Sequence, residues 1–430
     1  MTALLPLYRI TTNLGAPLIA AYLRRRMVLG KEDPIRFGER KGIAGRPRPD
    51  GPLIWIHAAS VGEALSMLPL TEKLLQSSSS LTVLMTTGTV TSAELMRQRL
   101  PARAIHQFVP VDRLPYVRRF LDHWRPDLVL WAESEFWPNL VTLPPARGIP
   151  MVLVNGRISP DSMEKWRRWP GLSRALLRGF DLCLAQSAQD ADRLTELGAG
   201  LVRYVGNLKF AVPPLPVDAD ELAGLQHAIG DRPVWLAAST HPGEEALIYD
   251  IHRNIEPRHR RLLTIIVPRH PDRGRHIAEQ LSSMGANVTR RAAEEHISAE
   301  TDVYVADTLG ELGLFFRYSP IAFMGKSLVD LGGQNPLEAA KLDCAILLGP
   351  HMWNFSDIVS RLTSADAAEQ VLGPEALAAA LGGLLSDETR RRELAERAAA
   401  VAAEEMGVLD AVMNELAPYI EDLEDAGAAS

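Results

Sequence analysis

The sequence has little cysteine and no arrangement of ligands for a metal ion. Only two cysteines occur among 430 residues, Cys183 and Cys344, and each stands beside aliphatic residues. This predicts buried free thiols in a reducing compartment rather than disulfide bonds. No Cys/His cluster has metal-site spacing, and we interpret the Asp-x-Asp pairs at 190–192 and 218–220 as solvated. We therefore expect neither a metal nor a redox cofactor.

The commonest phosphate-binding turns are also missing. No GxGxxG motif follows the first predicted strand, and the sequence has no Walker lysine loop. The net charge is −7, although residues 1–50 hold ten Lys and Arg against four Asp and Glu. The remainder of the chain is therefore acidic, which argues against a nucleic-acid-binding protein.

An N-terminal apolar segment falls short of a clear signal peptide or membrane span. Residues 3–23 are interrupted by Arg9, Asn13 and two prolines, and Arg24–Arg26 follow at once. A signal peptide carries its positive charge before the apolar region. If the segment spans a membrane, or lies on one with the arginines at anionic headgroups, the body lies at the cytoplasmic face. The alternative is a soluble helix that docks on its own domain.

What the sequence does contain is a repeated alternation of strand and helix patterns. Its length predicts two domains, and the alternation predicts parallel strands with crossover helices. We expect two Rossmann-like α/β domains with a cleft between them. The predicted boundaries are residues 1–50 for an N-terminal segment, 51–210 and 219–405 for the two domains, 211–218 for a proline-rich linker, and 406–430 for a C-terminal helix and tail. From Glu375 onward we expect exposed helices and a frayed tail.

One pattern occurs in both halves of the chain. AASVGEAL near Glu63 and AASTHPGEEAL in the second half each read as a strand, a serine, a Gly-Glu pair and a helix. Such turns lie at the carboxyl ends of parallel strands, where α/β sheets bind ligands. The predicted site is therefore the cleft between the two sheets. The alternative for Glu63 is that it only caps its helix and complements the helix dipole.

The first half offers three more candidates. Glu133 and Glu135 directly follow a buried strand in WAESEFWPN, and Lys209 stands in GNLKF just before the linker. Two carboxylates beyond an apolar strand end are expected to point at the cleft, and Lys209 can reach over it. The alternatives are a helix cap and an arginine pair for the carboxylates, and an ordinary surface position for the lysine.

The second half places candidates for anion binding after its strands. Arg269 ends an apolar strand in VPRHP and suits bidentate phosphate recognition, although a surface ion pair explains it as well. The DTLGEL turn, residues 307–312, presents backbone N–H groups to a phosphate. In GGQNPLEAA, Asn335 can cap a helix whose first turn holds Glu338, a possible acceptor from both hydroxyls of a ribose.

Ten motifs in order resemble one known family. They are HAASVGE, WAESEFWPN, VNGRIS, GNLKF, STHPGEE, VPRHP, DTLGEL, MGKSLV, GGQNPLEAA and GPHMWNF. Together, from about Tyr8 to Asp357, they resemble the 3-deoxy-D-manno-octulosonic acid (Kdo) transferases. Those enzymes move Kdo from CMP-Kdo to the lipid A precursor, have the GT-B fold, associate with the membrane and need no metal or other cofactor. The resemblance implies a glycosyltransferase of lipopolysaccharide biosynthesis at the cytoplasmic face of the inner membrane.

The resemblance also implies roles for particular residues. It makes Glu63 the general base, Glu133 and Lys209 groups that support the transition state, and the first domain the acceptor-binding one. It assigns CMP to Pro268, Arg269, Leu309, Gly310, Glu311, Asn335, Pro336, Leu337 and Glu338. Two positions depart from the family pattern: Lys326 stands where glycine is common, and Gln334 where histidine is common. Both flank the nucleotide loop.

Two rival functions follow from the same residues. One is another GT-B sugar-nucleotide transferase or epimerase, which a comparison of nucleotides would distinguish. The other is a two-lobed sugar-binding protein without catalysis. That class is usually periplasmic, and no cleavable signal is evident here.

Overall fold

The computed structural model describes residues 4–211 and 213–428 and divides the chain into two compact units. Unit 1 is Met1–Val212 with Glu405–Ser430, and unit 2 is Pro213–Glu404. Each unit is built on one seven-stranded sheet in which every strand pair is parallel. The predicted α/β class with two parallel-sheet halves is confirmed.

The sheet of unit 1 has the strand order β3-β2-β1-β4-β5-β6-β7. The order reverses between β1 and β4, which makes the gap beyond their carboxyl ends the switch point where such sheets bind ligands. The central strands are buried apolar runs because helices cover both faces. The strands are β1 (Leu53–His57), β2 (Thr82–Thr87), β3 (Ala104–Phe108), β4 (Leu128–Ala132), β5 (Met151–Gly156), β6 (Leu182–Ala185) and β7 (Val202–Tyr204).

Nine helices precede the end of this sheet in the described part of unit 1. The first two form the N-terminal segment, and the others connect the strands. They are α1 (Leu4–Leu14), α2 (Ala16–Val28), α3 (Val61–Ser77), α4 (Val90–Arg99), α5 (Leu114–Trp124), α6 (Pro138–Thr142), α7 (Pro160–Arg167), α8 (Pro170–Leu177) and α9 (Ala188–Glu196). Short 3-10 helices lie at Glu39–Lys41, Pro145–Arg147 and Leu208–Phe210.

The sheet of unit 2 repeats the arrangement with the order β10-β11-β9-β8-β12-β13-β14. Its switch point lies between β8 and β12. The strands are β8 (Val234–Thr240), β9 (Leu263–Pro268), β10 (Val288–Arg290), β11 (Val303–Val305), β12 (Ile321–Met324), β13 (Ala345–Leu348) and β14 (Glu369–Gln370). The helices are α10 (Ala219–Ile229), α11 (Glu244–Ile255), α12 (Gly274–Ser283), α13 (Leu312–Tyr318), α14 (Leu337–Ala340), α15 (Ser356–Ser364), α16 (Pro374–Ser386) and α17 (Glu388–Met406).

The prediction of exposed helices and a frayed tail after Glu375 is wrong. Leu377, Leu381 and Leu384 of α16 are buried in the core of unit 2. The last helix, α18 (Val408–Ala428), returns to unit 1 and packs on α3. Its apolar residues, Val412 among them, join the core under β1 and β4. The alanine-rich composition concealed the apolar stripe that the tertiary fold buries.

The prediction that both cysteines are buried free thiols is confirmed, and the aspartate prediction is partly wrong. Cys183 and Cys344 are free and buried, and burial raises the pKa of both thiols. Asp192, and the pair at 218–220, are not buried, as expected. Asp190 is buried, because its carboxylate accepts a hydrogen bond from the Ile158 backbone N–H.

The N-terminal helices dock on unit 1 and keep an apolar outer face. Tyr8 donates a hydrogen bond to Asp112 Oδ2 at 2.8 Å, and Arg9 donates to Asn139 Oδ1 at 3.2 Å. The outward side chains are large and apolar: Leu7, Ile10, Leu14, Leu18, Tyr22, Val28 and Leu29 are all more than half exposed. Within the described residues, none of the helices has both the length and the apolar character that crossing a membrane requires.

Candidate active site

The turn after β1 holds Glu63 in a capping box. Ser60 is the N-cap of α3, and its hydroxyl oxygen accepts from the Glu63 backbone N–H at 3.2 Å. In return, Glu63 Oε1 accepts from the Ser60 hydroxyl and Oε2 from the Ala59 N–H, both at 2.8 Å. The capping function weighed from the sequence is therefore present in the structure. It leaves the carboxylate fixed in orientation, which is also what a base requires.

Burial raises the pKa of Glu63 above its ordinary 4.5. Desolvation is the largest cause, and the negative charges of Glu133 and Glu135 add to it. Hydrogen bonds from Ala59 and Ser60 work in the opposite direction. A carboxylate with a raised pKa is a stronger base once it is ionised.

Glu133 and Lys209 form an ion pair at the same end of the sheet. Lys209 Nζ lies 2.5 Å from Glu133 Oε1, and the Glu133 side chain is nearly buried. Glu133 directly follows β4, on the other side of the switch point from Glu63, and has a positive φ of 57°. A non-glycine residue in this conformation is unusual and marks a backbone held by its surroundings. Glu135, by contrast, is exposed and accepts from the Trp137 indole N–H.

Asn155 positions Lys209, a role that the sequence analysis did not assign. It stands at the end of β5 with a φ of 56° and is fully buried. Its Oδ1 accepts from the Leu208 N–H at 3.0 Å, which fixes the 3-10 helix that carries Lys209. The sequence does contain a signal for this role. Asn155 in the VNGRIS motif is a polar residue inside an apolar strand, and a buried polar side chain needs a hydrogen-bond partner.

The corresponding turn of unit 2 uses its glutamate differently. Glu244 is fully buried, and its carboxylate accepts from four backbone N–H groups. One belongs to His241 in its own turn, and the others to residues 326–328 in the loop after β12. Lys326 has a φ of 63°, in the left-handed region that favours glycine, which is the residue expected here from the family pattern. Glu244 thus joins both sides of the second switch point.

The glycine pair before α14 is required by close packing. Gly332 and Gly333 have φ values of 90° and 74°, and a Cβ on Gly333 would lie 2.2 Å from Met352 Sδ. The loop therefore fits against the polar-aromatic segment after β13. Asn335 Oδ1 accepts from the Leu337 N–H at 3.1 Å, but Pro336 is the N-cap of α14, so the helix begins one residue later than predicted and Asn335 is not its N-cap.

Positive charge collects where the strands of unit 2 end. Burial lowers the pKa of the His241 imidazole, and the charges of Lys326, His270, Arg273 and Arg269 lower it further. Arg269 follows β9 and acts on the half-buried Glu338, whose pKa burial raises and Arg269 lowers. Two predicted nucleotide-binding residues, Arg269 and Glu338, are therefore close together. Arg273 is held by a bidentate pair with Glu245.

The predicted turn at 309–311 is formed, but its glutamate is already paired. Glu311 accepts from both Arg291 and the Thr308 hydroxyl. Leu309 is largely exposed, and Gly310 has a φ of 84°. β9 ends at Pro268, so Arg269 directly follows the strand instead of ending it as predicted. Across the described residues, no group of three or more His, Cys, Asp or Glu side chains is arranged to hold a metal ion.

Comparison with known proteins identifies the family. The model for 3-deoxy-D-manno-octulosonic-acid transferases matches residues 35–212. A Kdo transferase of Rickettsia bellii is 34% identical over 388 residues, which are 90% of this chain and 92% of that protein. The chain belongs to the Kdo transferase family. A second Kdo transferase, from Haemophilus influenzae, is 33% identical over 415 residues, 94% of this chain and 96% of its own.

The fold of this Kdo transferase is shared more widely than its sequence. A putative UDP-N-acetylglucosamine 2-epimerase from Listeria monocytogenes superposes with a TM-score of 0.56 at 14% sequence identity. The match covers 87% of this chain and 98% of the epimerase chain. Two parallel-sheet units of this kind are the GT-B type predicted from the sequence, which is confirmed. Membership of the family makes the protein a glycosyltransferase. The family name, Kdo transferase, links it to lipopolysaccharide.

Proposed function

We propose that this protein transfers Kdo from CMP-Kdo to the lipid A precursor, lipid IVA, with Glu63 as the general base. The observation that carries the proposal is the environment of Glu63. Its carboxylate is fixed by Ala59 and Ser60, lies at the switch point of unit 1, and has a raised pKa. An attacking sugar hydroxyl must lose its proton, and an oriented carboxylate at this position can accept it.

In this mechanism the ion pair beside Glu63 stabilises charge. Lys209 carries a positive charge on a side chain that is one-third exposed, and Glu133 fixes its direction. The departing CMP leaves as a phosphate monoester, so a cation rather than a protonated acid is required. Lys209 supplies this cation, so the proposal involves no metal. Activity should therefore persist after dialysis against EDTA.

The donor is proposed to bind unit 2 through its nucleotide. Arg269 and Lys326 supply positive charge for the phosphate, and Glu338 accepts from the ribose hydroxyls. The turn at 309–311 and residues 335–337 complete the proposed contacts. Glu338→Ala should reduce the rise in melting temperature that CMP produces, since a bound ligand stabilises more as its affinity increases. An undiminished rise would remove Glu338 from the site.

The N-terminal helices are proposed to bind the cytoplasmic face of the inner membrane. Leu14 and Leu18 are each more than three-quarters exposed on the docked helices, and Arg24 and Arg25 follow on α2. Apolar side chains beside cations suit an anionic lipid surface. Leu14→Ser with Leu18→Ser should reduce flotation with anionic vesicles, whereas Leu372→Ser, an equally exposed leucine in unit 2, should not.

The decisive experiment is nucleotide release. CMP should appear from CMP-Kdo only when lipid IVA is present, and Kdo should appear on the lipid. Turnover of UDP-sugars instead would favour the alternative GT-B transferase or epimerase. Tight binding of a sugar nucleotide without turnover under any condition would favour a sugar-binding protein.

A further inference from the structure

A cavity of about 390 Å³ lies in unit 1, beside α2 and beyond the carboxyl ends of β1 to β4. The loop after each of these strands contributes a lining residue: Ala59, Thr89, Pro110 and Trp137, in strand order. The cavity therefore spans the switch point, where parallel sheets bind ligands, and its size is within the usual range of small-molecule sites. Because the Ala59 N–H donates to Glu63 Oε2, the cavity lies next to the proposed base.

Trp137 brings a large aromatic face to this cavity. The residue is 46% exposed, whereas Trp55, Trp124 and Trp131 of the same unit are fully buried in the core. An exposed indole forgoes the free energy that burying so large an apolar surface provides. Tryptophan is also enriched among the residues that contribute most to binding. An exposed tryptophan that lines a cavity beside the proposed base is therefore typical of a ligand-binding surface.

Glu135, which lines the same cavity, holds the Trp137 indole in place. The indole N–H donates to Glu135 Oε2 at 2.9 Å. The Glu135 carbonyl accepts from the Trp137 backbone N–H at 3.1 Å and from the Trp131 indole N–H at 3.0 Å. Phe136, between the two residues, is buried against Phe180. The ring and the carboxylate are thus fixed before a ligand arrives, which reduces the entropy lost on binding.

An indole face beside a carboxylate suits a sugar ring. The C–H groups of a sugar carry partial positive charge and meet the negative face of the indole, while its hydroxyls donate to the carboxylate. Burial is the main cause of the raised pKa of Glu63, and the charge of Glu135 adds to it, which puts Glu135 within electrostatic reach of the base. Ile19 and Leu23 of α2 give the cavity an apolar wall.

We infer that the acceptor sugar stacks on Trp137 in this cavity and donates a hydrogen bond to Glu135, with its attacking hydroxyl directed to Glu63. This inference rests on the proposed function. It adds two residues that bind the acceptor and set its orientation. Tyr22 lines the cavity and is more than half exposed, so the cavity opens beside the apolar outer face of the N-terminal helices. That position suits an acceptor whose far end is lipid.

Trp137→Leu tests the aromatic face. In the full-length protein, with lipid IVA in non-ionic detergent micelles, it should raise the acceptor KM about tenfold, a usual effect of removing a tryptophan from a binding surface. The KM for CMP-Kdo should change less than about twofold, because only contacts with the acceptor are lost. Trp137→Phe keeps an aromatic ring and should recover part of the acceptor affinity.

Glu135→Gln tests the carboxylate. Glutamine keeps an oxygen for the Trp137 indole N–H but loses the charge, so the acceptor KM should rise about fivefold, the difference between a charged and a neutral hydrogen-bond acceptor. The same change removes a negative charge near Glu63, so the fall of turnover with acid should move to lower pH. A purely structural role of Glu135 would leave the acceptor KM unchanged, which would contradict the inference.

Trp169→Leu is the matched control, because Trp169 is 54% exposed in the same unit and lies outside this cavity. If Trp137→Leu raises the acceptor KM no more than Trp169→Leu does, the inference is overturned. Weaker flotation of Trp137→Leu with anionic vesicles at an unchanged acceptor KM would place the indole in the membrane, and would overturn it too. Should Trp137→Leu fail to fold, the acceptor KM of Glu135→Gln decides. A parent protein that does not transfer Kdo refutes the proposed function itself, which is a separate outcome.

Discussion

The same Gly-Glu turn opens both units, but its two glutamates have different surroundings. Glu63 accepts one backbone N–H and one hydroxyl, both from its own turn. Glu244 accepts four backbone N–H groups, most of them from a loop on the far side of the switch point. Glu63 retains a little exposure, and Glu244 has none.

The difference shows how one local motif serves two purposes. Glu244 is saturated with donors and joins two loops, so its carboxylate has no capacity left for a substrate. Burial raises the pKa of both carboxylates, but Glu63 is fixed by fewer bonds, and the charges of Glu133 and Glu135 add to the rise of its pKa. Sequence similarity between the turns therefore indicates a shared backbone shape, while the surroundings decide which carboxylate can take a proton.

The largest expected effect is that of Glu63→Gln. Turnover should fall by roughly 10²–10⁴-fold, the usual contribution of a general base. Glutamine is accepted in a capping box, so the fold should be retained. CMP should still stabilise the variant in thermal melts. A variant that transfers Kdo at near-parental rate would exclude Glu63 as the base and make Glu133 the next candidate.

Lys209→Met should lower turnover by roughly 10²-fold, as expected for one preorganised charge-stabilising group. It also leaves the buried Glu133 carboxylate without its cation, which raises the pKa of Glu63 further. Lys209→Arg keeps the charge and is the control. Equal loss of turnover in both variants would indicate that the lysine acts through its geometry rather than through its charge.

Acidification should inactivate the parent through Glu63. Because burial raises its pKa above 4.5, turnover should begin to fall at a higher pH than for an ordinary carboxyl, by about tenfold per pH unit below that pKa. His57 and His106 do not interfere, since burial lowers the pKa of each to about 3. The residual activity of Glu63→Gln should lack this acid limb. An acid limb retained in that variant would assign it to another group.

Low pH should affect stability and activity in opposite directions through Glu63, because protonation of its carboxyl favours the fold and stops catalysis. A carboxyl whose pKa is raised on folding favours the folded state at low pH, and this contribution is lost as pH rises through the raised pKa. The amide that Glu63→Gln introduces does not ionise and avoids that loss. The melting temperature of Glu63→Gln at neutral pH should therefore equal or exceed that of the parent.

Glu244→Gln should show the reverse pattern, with the smallest effect on turnover. An amide keeps one acceptor oxygen, so about half of the four N–H donors lose their partner. The free energy of unfolding of unit 2 should fall by about 2–4 kcal/mol. Turnover at saturating substrate should change less than about tenfold, measured well below the melting temperature. A stable but inactive Glu244→Gln would contradict the division of roles between the two glutamates.

Much of this architecture follows from local patterns. Apolar runs followed by small residues and amphipathic segments predict parallel strands and crossover helices, because each element must bury one face. The prediction of exposed helices in the C-terminal stretch was wrong because local patterns do not show packing against distant parts of the chain. Its alanines give a weak stripe, and only packing on α3 shows that α18 belongs to unit 1.

The sequence by itself determined the α/β class, the two-unit organisation, the positions of Glu63 and Glu133 after apolar strands, and that of Lys209 just before the linker. Motif order also determined the family. Only the tertiary structure decided that Lys209 pairs with Glu133, that Asn155 fixes Lys209, and that Glu244 joins two loops. Strand and helix formation depend on near neighbours in sequence. These contacts join residues 53 to 84 positions apart, whose approach depends on sheet order and on the burial of donors that need acceptors.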